Sequence, residues 1–446
     1  LYCFDLLEAI YQEAWEGDKA PTWPGSERTL RQDYPDRDAF LAAIPGLILR
    51  HNLYGIDIDL RATQIASLAL WLRAQRSFQD RGLDQEHHPP ITKANIVCAE
   101  PMPGEGDMLT GFVQGLNPPL LGALVREIFE KMKLAGEAGS LLKIEEDIRD
   151  TIADAKRQWL TRPKDEQTTL FPVEKKREWQ TGLYSFKGIT DASFWDMAEQ
   201  KVLEALQTYV QKTTNGAGYR RKLFAEDAER GFAFIELCQK EYDVVLMNPP
   251  FGAASKPSKN YIDSTYPRTK NDVYAAFVER WVGKLIPHGR LGAITSRTGF
   301  FLTSFQKWRE EVLLEDTKIL VMADLGNGVL DTAMVGTAAY CIEKNNDDNK
   351  SVFFHAITEK DKHNKIINEI NNIKNSFLSE DSFFIDANRF SEIPNTPFAY
   401  WITKRIGETF QKFKKFGDEN RSAEHGLSTK NDFQFIRLWW EVSKRH

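Results

Sequence analysis

Short apolar runs bounded by polar residues recur along this chain and predict buried strands. Three of them, at residues 53–58, 95–99 and 243–247, each lead out into a loop. Runs of this kind are typical of parallel strands that are covered on both faces. Residues 61–76 lie between the first two runs and repeat apolar side chains at helical spacing, which predicts an amphipathic helix. Strand, helix and strand in this order predict a βαβ unit and a doubly wound α/β fold.

The α/β pattern continues after a polar interruption. Residues 120–230 are rich in Lys, Glu, Arg and Gln, which predicts a helical insertion, either a lid or DNA clamp or a solvated excursion. Beyond residue 247 the predicted elements are a helix at 272–285, a turn at 287–289, a strand at 291–295, a helix at 304–314, and strands at 319–323 and 337–342 that form a closing antiparallel hairpin. A polar run at 345–350 marks a boundary, so the predicted regions are 1–119, 120–230, 231–345 and 346–446.

Composition and charge leave the partner open. With 446 residues, of which 42% are hydrophobic and 12% aromatic, the chain can form large packed cores. The net charge of −6 excludes a globally basic nucleic-acid binder. Residues 401–446 nevertheless hold ten Lys or Arg against six Asp or Glu. Such a local excess either faces phosphates or forms an ordinary mixed surface.

Cysteine and histidine usage argues against disulfides and metal sites. The four cysteines lie far apart without a C-x-x-C pair, which fits a reducing cytoplasm. The eight histidines lack the spacing of metal ligands, so no metal site is predicted. The longest apolar run near the start, residues 65–72, is far shorter than the roughly 18 residues of a membrane span. We therefore expect a soluble, cytoplasmic protein.

The four residues Asn248-Pro249-Pro250-Phe251 carry the clearest chemical signal. They directly follow the strand at 243–247, and ligand chemistry in open α/β sheets occurs at the carboxyl ends of strands. The two prolines stop the strand and stiffen the loop, because each fixes φ and removes an N–H donor. A rigid loop can hold the Asn248 amide oxygen and the Pro249 carbonyl at fixed positions, where both accept hydrogen bonds from one amine.

An exocyclic amine on a nucleobase requires such a pair of acceptors. Its lone pair is delocalised into the ring, and two acceptors that hold its hydrogens favour a pyramidal nitrogen able to attack a methyl sulfonium. Phe251 offers a ring face on which a flipped base stacks. Asn248, Pro249, Pro250 and Phe251 are therefore candidate catalytic residues for methyl transfer.

A second Asn-Pro-Pro, at Asn117-Pro118-Pro119, provides an internal control. It follows a Gly-rich segment instead of an apolar strand, and Leu120 replaces the aromatic residue. We predict a turn there. The strand that precedes Asn248 therefore matters as much as the motif itself.

Acidic residues at the ends of the first two predicted strands are candidates for cofactor binding. Asp57 lies near the end of the strand at 53–58, and an acid in that position commonly binds the hydroxyls of a ribose, with Ile58 packing on an adenine ring. Helix capping is the competing role, and Asp59 is better placed for it. Glu100 follows the second strand, where it either accepts a hydrogen bond from an adenine amine or lies in solvent.

These motifs resemble the gamma-type DNA adenine-N6 methyltransferases. The similarity is closer to the PglX methyltransferases of BREX phage-exclusion systems and to the related fused restriction–modification enzymes. The similar stretches cover most of the chain outside the helical insertion, namely Phe4-Asp5-Leu6-Leu7 and residues 53–74, 95–103, 243–252, 270–277, 291–305, 325–339, 397–401, 426–429 and 437–441.

The resemblance implies a Rossmann-like methyltransferase core, with a doubly wound sheet closed by an antiparallel hairpin, a helical insertion and the start of a C-terminal target-recognition domain. It implies methyl transfer from S-adenosyl-L-methionine to N6 of a flipped adenine in double-stranded DNA. Asn248, Pro249 and Phe251 match the family's catalytic loop, and Asp57 matches its ribose-binding acid. Further subunits of a defence system would be partners.

One departure from that family concerns the cofactor. The Gly-rich loop of the D-P-x-C-G-S-G type, expected just before the first residues here, is absent from this sequence. We therefore expect this stretch of chain to bind S-adenosyl-L-methionine poorly by itself. Two other functions stay open. One is methylation of another amine or amide, such as an RNA adenine or a protein glutamine, and the other is a non-catalytic DNA-binding role.

Overall fold

The main chain folds into two compact units. The computed structural model describes residues 1–17, 22, 28–83, 88–91, 94–101, 106–161, 190–211, 217–330, 335–345, 350–377 and 379–413. One unit comprises Leu1–Tyr242 with Ala253–Lys270, and the other comprises Asp243–Gly252 with Asn271–His446. The family-like residues at 426–429 and 437–441, and most of the basic excess in 401–446, lie outside the described residues.

The first unit combines a small parallel sheet with many helices. Its described elements are α1 (Tyr2–Glu16), α2 (Leu30–Asp33), α3 (Arg37–Leu47), β1 (Tyr54–Asp57), α4 (Leu60–Asp80), β2 (Asn95–Cys98), α5 (Gly106–Gln114), α6 (Pro119–Lys131), α7 (Ala135–Ala138), α8 (Ile144–Asp147), α9 (Arg149–Leu160), α10 (Asp191–Gln211), α11 (Ala217–Gln239) and α12 (Lys259–Thr265). Asp36 and Asp59 begin α3 and α4, because their carboxylates accept the N–H groups of Ala39 and Arg61 at 2.8 Å each.

The predicted βαβ unit is present in this first unit. β1 and β2 pair in parallel, from Tyr54 opposite Asn95 to Asp57 opposite Cys98, and α4 connects the two strands. A core cluster lies beside them among α1, α3 and α4, and it consists of Phe4, Leu30, Phe40, Ile44, Ile48, Leu49 and Ala74. The predicted helix is confirmed as α4, but this core does not account for its apolar spacing, because Ile65, Leu68 and Leu72 are exposed and only Ala74 of α4 lies in the cluster.

The insertion predicted at 120–230 is helical where the structure describes it. Leu121, Val125 and Ile128 lie on one face of α6 and are buried, and α6 packs against α9. α10 packs against α11 in the same way.

The second unit is built on a six-stranded sheet. Its elements are β3 (Tyr242–Met247), α13 (Val273–Val282), β4 (Leu285–Ser296), β5 (Thr317–Gly326), β6 (Thr337–Lys344), β7 (Lys350–His355), α14 (Lys362–Lys374), β8 (Ser382–Asp386) and α15 (Lys404–Lys412). The strand order is β3-β4-β6-β5-β7-β8. β6 pairs antiparallel with both β4 and β5, and β7 pairs parallel with β5. The carboxyl ends of β4, β5 and β7 therefore lie at one edge of the sheet.

Apolar side chains pack against both faces of this sheet, although Val244 and Leu246 of β3 stay exposed. On one face, the main core cluster includes Tyr274 and Val278 of α13 and Trp308 of the helical segment Trp308–Asp316, which follows β4. On the other face, Ile366 and Ile373 of α14 pack against a smaller cluster in β5 and β7. The antiparallel pair predicted at 319–323 and 337–342 is confirmed as β5 and β6.

The sheet is arranged differently from the single sheet predicted from the sequence. Among the described residues, β1 and β2 form a separate two-stranded sheet, and β3 lies in the six-stranded sheet. The mixed α/β class is correct, but the grouping of the three strands at 53–58, 95–99 and 243–247 in one sheet is wrong for the described residues. Hydrophobic patterning identifies a strand locally, whereas it carries no information on which strand edges pair across long separations.

Two local predictions also differ. β4 begins at Leu285 and runs through the turn predicted at 287–289, with a φ of 62° at His288. Its pairing with β6 begins at Arg290, so Pro287 costs no hydrogen bond of that ladder. The sheet also continues beyond residue 345, since β7 and β8 belong to it. The assignment of residues 346–446 to the start of a DNA target-recognition region stays a prediction.

None of the helices among the described residues combines the length and the apolar character needed to cross a membrane.

The four cysteines, Cys3, Cys98, Cys238 and Cys341, are free thiols. Burial, together with the nearby Glu100 carboxylate, raises the pKa of Cys98 to about 12, so that thiol stays protonated at neutral pH.

Candidate active site

The Asn-Pro-Pro-Phe loop leaves the end of β3 and is anchored on the core. Val245 and Met247 of β3 pack against the main core cluster, and Pro249 is buried. Asn248 is exposed instead and lies in the lining of an open groove of about 630 Å³. The rest of that lining is apolar and includes Leu246, Ile294 and Ala339. The Asn248 amide therefore stands at an accessible position beside an apolar surface.

Gly252 closes the loop through hydrogen bonds to the start of α13. Its N–H donates to the Asp272 carboxylate at 2.8 Å, and its carbonyl accepts the N–H of Val273 at 2.9 Å. Gly252 has a φ of 111°, in the region that favours glycine. Burial raises the pKa of Asp272, although hydrogen bonds from the N–H groups of Gly252, Tyr274 and Val273 oppose that effect.

Phe251 rests on an aromatic group in the core. Its ring meets Tyr274 edge to face, with centroids 6.0 Å apart and an angle of 84° between the planes. Tyr274 in turn stacks on Phe305 at 5.6 Å and meets Trp308 at 5.7 Å. Because Tyr274 and Trp308 are fully buried, the half-buried Phe251 ring is held from behind while part of it stays accessible.

The candidate cofactor residues lie in the first unit. Oδ1 of Asp57 accepts the N–H of Asp59 at 2.8 Å, whereas the N-cap of α4 is Asp59, as expected from the sequence. Ile58 is 57% exposed beside them, so an apolar surface adjoins the Asp57 carboxylate. Nη1 of Arg230 lies 3.8 Å from the Glu100 carboxylate and 3.2 Å from that of Asp227.

The site residues predicted from the sequence thus form two groups. Asn248, Pro249, Pro250 and Phe251 lie together in the second unit, and Asp57, Ile58 and Glu100 lie at the carboxyl ends of β1 and β2 in the first. The control motif behaves differently, because Asn117 and Pro118 lead into α6 and follow α5 instead of a strand. The predicted turn there connects two helices.

Sequence reasoning missed a buried polar cluster at the carboxyl ends of β4 and β5. Arg297 donates two hydrogen bonds to the fully buried Asp324 carboxylate, at 2.7 and 2.8 Å, and Tyr400 donates a third at 3.1 Å. The guanidinium of Arg297 also lies over the Phe301 ring at 4.9 Å. Sequence reasoning also missed Asp272. A polar residue directly before an apolar helical run predicts a helix N-cap, so this residue could have been identified.

The mixed α/β fold with an Asn-Pro-Pro-Phe loop at the end of a sheet strand agrees with the methyltransferase class predicted from the sequence. The Eco57I restriction-modification methylase family model matches residues 51–329, which is more than half of the sequence. The chain therefore belongs to the Eco57I restriction-modification methylase family. The matched range contains Asp57, Glu100 and the whole loop from Asn248 to Phe251.

Two curated proteins are similar along nearly the whole chain. The adenine-specific methyltransferase BrxX of Escherichia coli O9:H4 (strain HS) is 25% identical over 438 residues, covering 93% of this chain and 31% of BrxX. The adenine-specific methyltransferase PglX of Lacticaseibacillus casei (strain Zhang) is 22% identical over 453 residues, covering 99% of this chain and 30% of PglX. The chain thus spans about a third of the length of these relatives.

One solved structure is similar to most of this chain at low sequence identity. The methyltransferase subunit of a type I restriction-modification system from Streptococcus thermophilus is 13% identical, and the match covers 88% of this chain and 98% of that chain. The TM-score of this match is 0.30.

Proposed function

We propose that the protein containing this chain transfers a methyl group from S-adenosyl-L-methionine to N6 of adenine in double-stranded DNA, in a phage-defence or restriction–modification system. The observation that supports this most directly is the loop at Asn248–Phe251. It directly follows β3, whose Val245 and Met247 pack against the main core cluster, and Gly252 and Phe251 hold it against α13. Membership of the methylase family and the similarity to two adenine-specific methyltransferases agree with the proposal.

Two fixed acceptors activate the target amine in this proposal. Oδ1 of Asn248 and the carbonyl of Pro249 accept the two N6 hydrogens, and the nitrogen becomes pyramidal with its lone pair free to attack. Because the prolines and the Gly252 contacts fix these acceptors in advance, little reorganisation is needed during the reaction. The accessible part of the Phe251 ring stacks on the flipped base. S-adenosyl-L-methionine, when bound, would supply an electrophilic methyl group, its sulfur–methyl bond breaking to leave a thioether, and N6 would lose one of its two hydrogens as a proton.

The described residues fit the nucleoside part of that cofactor. Asp57 presents a carboxylate at the carboxyl end of β1 and uses one oxygen for the Asp59 N–H. Its other oxygen is then available to a ribose hydroxyl, and the exposed Ile58 offers an apolar surface to an adenine ring. Glu100 would accept a hydrogen bond from the adenine amine.

A flipped adenine in duplex DNA is the proposed substrate, and other defence-system subunits are the proposed protein partners. An adenine amine inside a base pair already uses one hydrogen in pairing. It must therefore leave the stack before both hydrogens can reach Asn248 and Pro249.

Replacing Asn248 tests the proposal, and the second Asn-Pro-Pro supplies a matched control. In the full-length protein, we expect Asn248→Ala to lower kcat for methyl incorporation into duplex DNA by about 100-fold to 1,000-fold, because one preorganised acceptor is lost. Asn117→Ala should change kcat by less than about 2-fold, since Asn117 follows a helix and contributes no acceptor. Incorporation is measured with labelled cofactor, followed by nucleoside analysis for N6-methyladenine.

Persistent adenine methylation by Asn248→Ala would contradict the catalytic assignment. Parallel reactions with RNA and with glutamine-containing protein substrates test the alternative acceptors. Labelling of one of those in place of DNA would overturn the choice of duplex DNA.

A further inference from the structure

We infer that Asp272 is a positioning residue for the catalytic loop, an inference that rests on the proposed function. It lies 20 positions beyond Gly252 in the sequence and outside the Asn-Pro-Pro-Phe motif. Its carboxylate nevertheless accepts the Gly252 N–H at 2.8 Å. The residue that follows it, Val273, donates its N–H to the Gly252 carbonyl at 2.9 Å. Both backbone polar groups of Gly252 are therefore bound to one short segment.

The segment that holds Gly252 is itself rigid. Asp272 is the N-cap of α13, and the same Oδ1 that binds Gly252 also accepts the Tyr274 N–H at 3.3 Å. Tyr274, Ala275 and Val278 of this helix are fully buried in the core. A carboxylate at a helix N-terminus is also favoured by the partial positive charge there. The Asp272 carboxylate thus transmits the fixed position of α13 to the loop.

A second contact from the same helix acts on the same loop. Tyr274 supports the Phe251 ring edge to face at 6.0 Å. Asp272 fixes the residue after Phe251, and Tyr274 fixes the Phe251 ring, so the first turn of α13 holds the loop at two neighbouring points. Without the Asp272 carboxylate, the loop would keep its prolines and the Val273 N–H bond to the Gly252 carbonyl but lose the bond from the Gly252 N–H. Asn248 and Pro249 would then sample positions from which they no longer meet one amine together.

An alternative role for Asp272 is helix capping alone. A serine variant distinguishes loop positioning from helix capping. Serine caps helices about as well as aspartate, but its side chain is shorter and neutral. Asp272→Ser keeps an oxygen for the N–H groups of the first turn but shortens the reach toward Gly252. Asp272→Asn keeps both the length and an acceptor oxygen. The order of activity among these variants therefore distinguishes positioning from capping.

The experiment compares Asp272→Ser, Asp272→Asn and Asp272→Ala in the full-length protein. We expect Asp272→Ser and Asp272→Ala to lower kcat for DNA adenine methylation by about 10-fold to 100-fold, because a small misplacement of catalytic groups costs this much. KM for DNA should change less than about 3-fold, and Asp272→Asn should recover most of kcat. Amide hydrogen exchange of a peptide covering residues 248–253 should accelerate in the Ser and Ala variants and stay near wild type in the Asn variant.

Asp361 provides the control, since it caps α14 through the Asn364 N–H at 3.0 Å and has no contact with the loop among those the structure describes. Asp361→Ala should leave kcat and the exchange of residues 248–253 unchanged. Wild-type kcat and loop exchange in Asp272→Ser would overturn the positioning role and leave capping. If the wild-type protein methylates no DNA adenine, the proposed function fails, and the exchange of residues 248–253 still decides whether Asp272 orders the loop.

Discussion

Gly252 illustrates how much of this site depends on single backbone positions. Its φ of 111° lies in the region that L side chains rarely adopt. A Cβ built at this position would meet no atom within 4 Å, so space does not limit the choice of residue. Backbone conformation alone therefore requires glycine here. That conformation lets the chain turn from Phe251 toward Asp272.

Replacement of Gly252 by alanine should therefore cost backbone strain without a steric clash. We expect Gly252→Ala to lower the free energy of unfolding by about 1–2 kcal/mol and to reduce kcat. Gly46 is the control, because it lies inside α3, also has open space around a built Cβ, and needs no left-handed conformation. Gly46→Ala should stabilise slightly, by up to about 1 kcal/mol. Chemical denaturation of both variants checks this, and a Gly252→Ala protein as stable as wild type would refute it.

At the scale of elements, buried charges join segments that are distant in sequence. Arg309 is fully buried, and its guanidinium donates to the carbonyls of Leu302 at 2.8 Å and Thr396 at 2.8 Å. Burial lowers the pKa of Arg309 to about 10, which still leaves it charged at neutral pH. Through Arg309 and the Asp324–Tyr400 contact, residues 395–400 belong structurally to the sheet unit. The family-like stretch at 397–401 thus packs on the core.

The contact between α14 and β8 gives a prediction about pH. Glu369 is buried, and burial by itself raises its pKa. Hydrogen bonds from Ser379 and Ser382, together with the Lys365 ammonium at 3.1 Å, outweigh this and hold the pKa of Glu369 below its usual value. A carboxylate with a lowered pKa in the folded state stabilises the fold above its unfolded pKa, near 4.3. This contribution is lost as the pH falls through the folded value.

Glu369→Gln should accordingly destabilise the protein at pH 7 by about 1–3 kcal/mol, because charged hydrogen bonds are replaced by neutral ones. The difference from wild type should shrink as the pH falls from the unfolded pKa through the lower folded value, below which the wild-type carboxyl is also neutral. Denaturation midpoints at pH 7, 5 and 3.5 measure this. Glu408→Gln, at an exposed ion pair of 3.8 Å in α15, should change the midpoint little at any pH. A difference for Glu369→Gln that is constant with pH would refute the assignment.

At the scale of the whole molecule, the proposed roles divide between two compact units. Asp57 and Ile58 belong to the unit with the βαβ element, and Asn248 and Phe251 belong to the unit with the six-stranded sheet. The proposal therefore assigns cofactor binding and amine activation to residues of different compact units. Substitutions in the two parts should have separable effects.

Asp57→Ala should weaken binding of S-adenosyl-L-methionine to the full-length protein by about 10-fold to 100-fold, because hydrogen bonds from ribose to a carboxylate are lost. Asn248→Ala should leave that affinity within about 2-fold of wild type while it abolishes most of kcat. Calorimetric titration of the cofactor into both variants measures the affinities. Asp59→Ala is a useful control at the neighbouring cap, since it should affect α4 more than the cofactor. Equal cofactor affinity for Asp57→Ala and wild type would remove Asp57 from the proposed site.

The sequence by itself determined the features that are local along the chain. Apolar runs predicted β1, β2, β3, β5 and β6, because apolar residues concentrate in strands whether they are buried on both faces, as in β5 and β6, or partly exposed, as in β3. The sequence also predicted that Asn248 follows a strand and that Asn117 does not. Both predictions depend only on the neighbouring residues. Asp59 was the expected cap of α4 for the same reason.

Only the tertiary structure decided which distant segments meet. It separated β1 and β2 from the six-stranded sheet among the described residues, added β7 and β8 to that sheet, and joined Asp272 to Gly252. Edge pairing and buried hydrogen bonds depend on the path of the whole chain, so residue patterns within a short window do not encode them. The motif therefore identified the loop, whereas the fold determined what holds it in place.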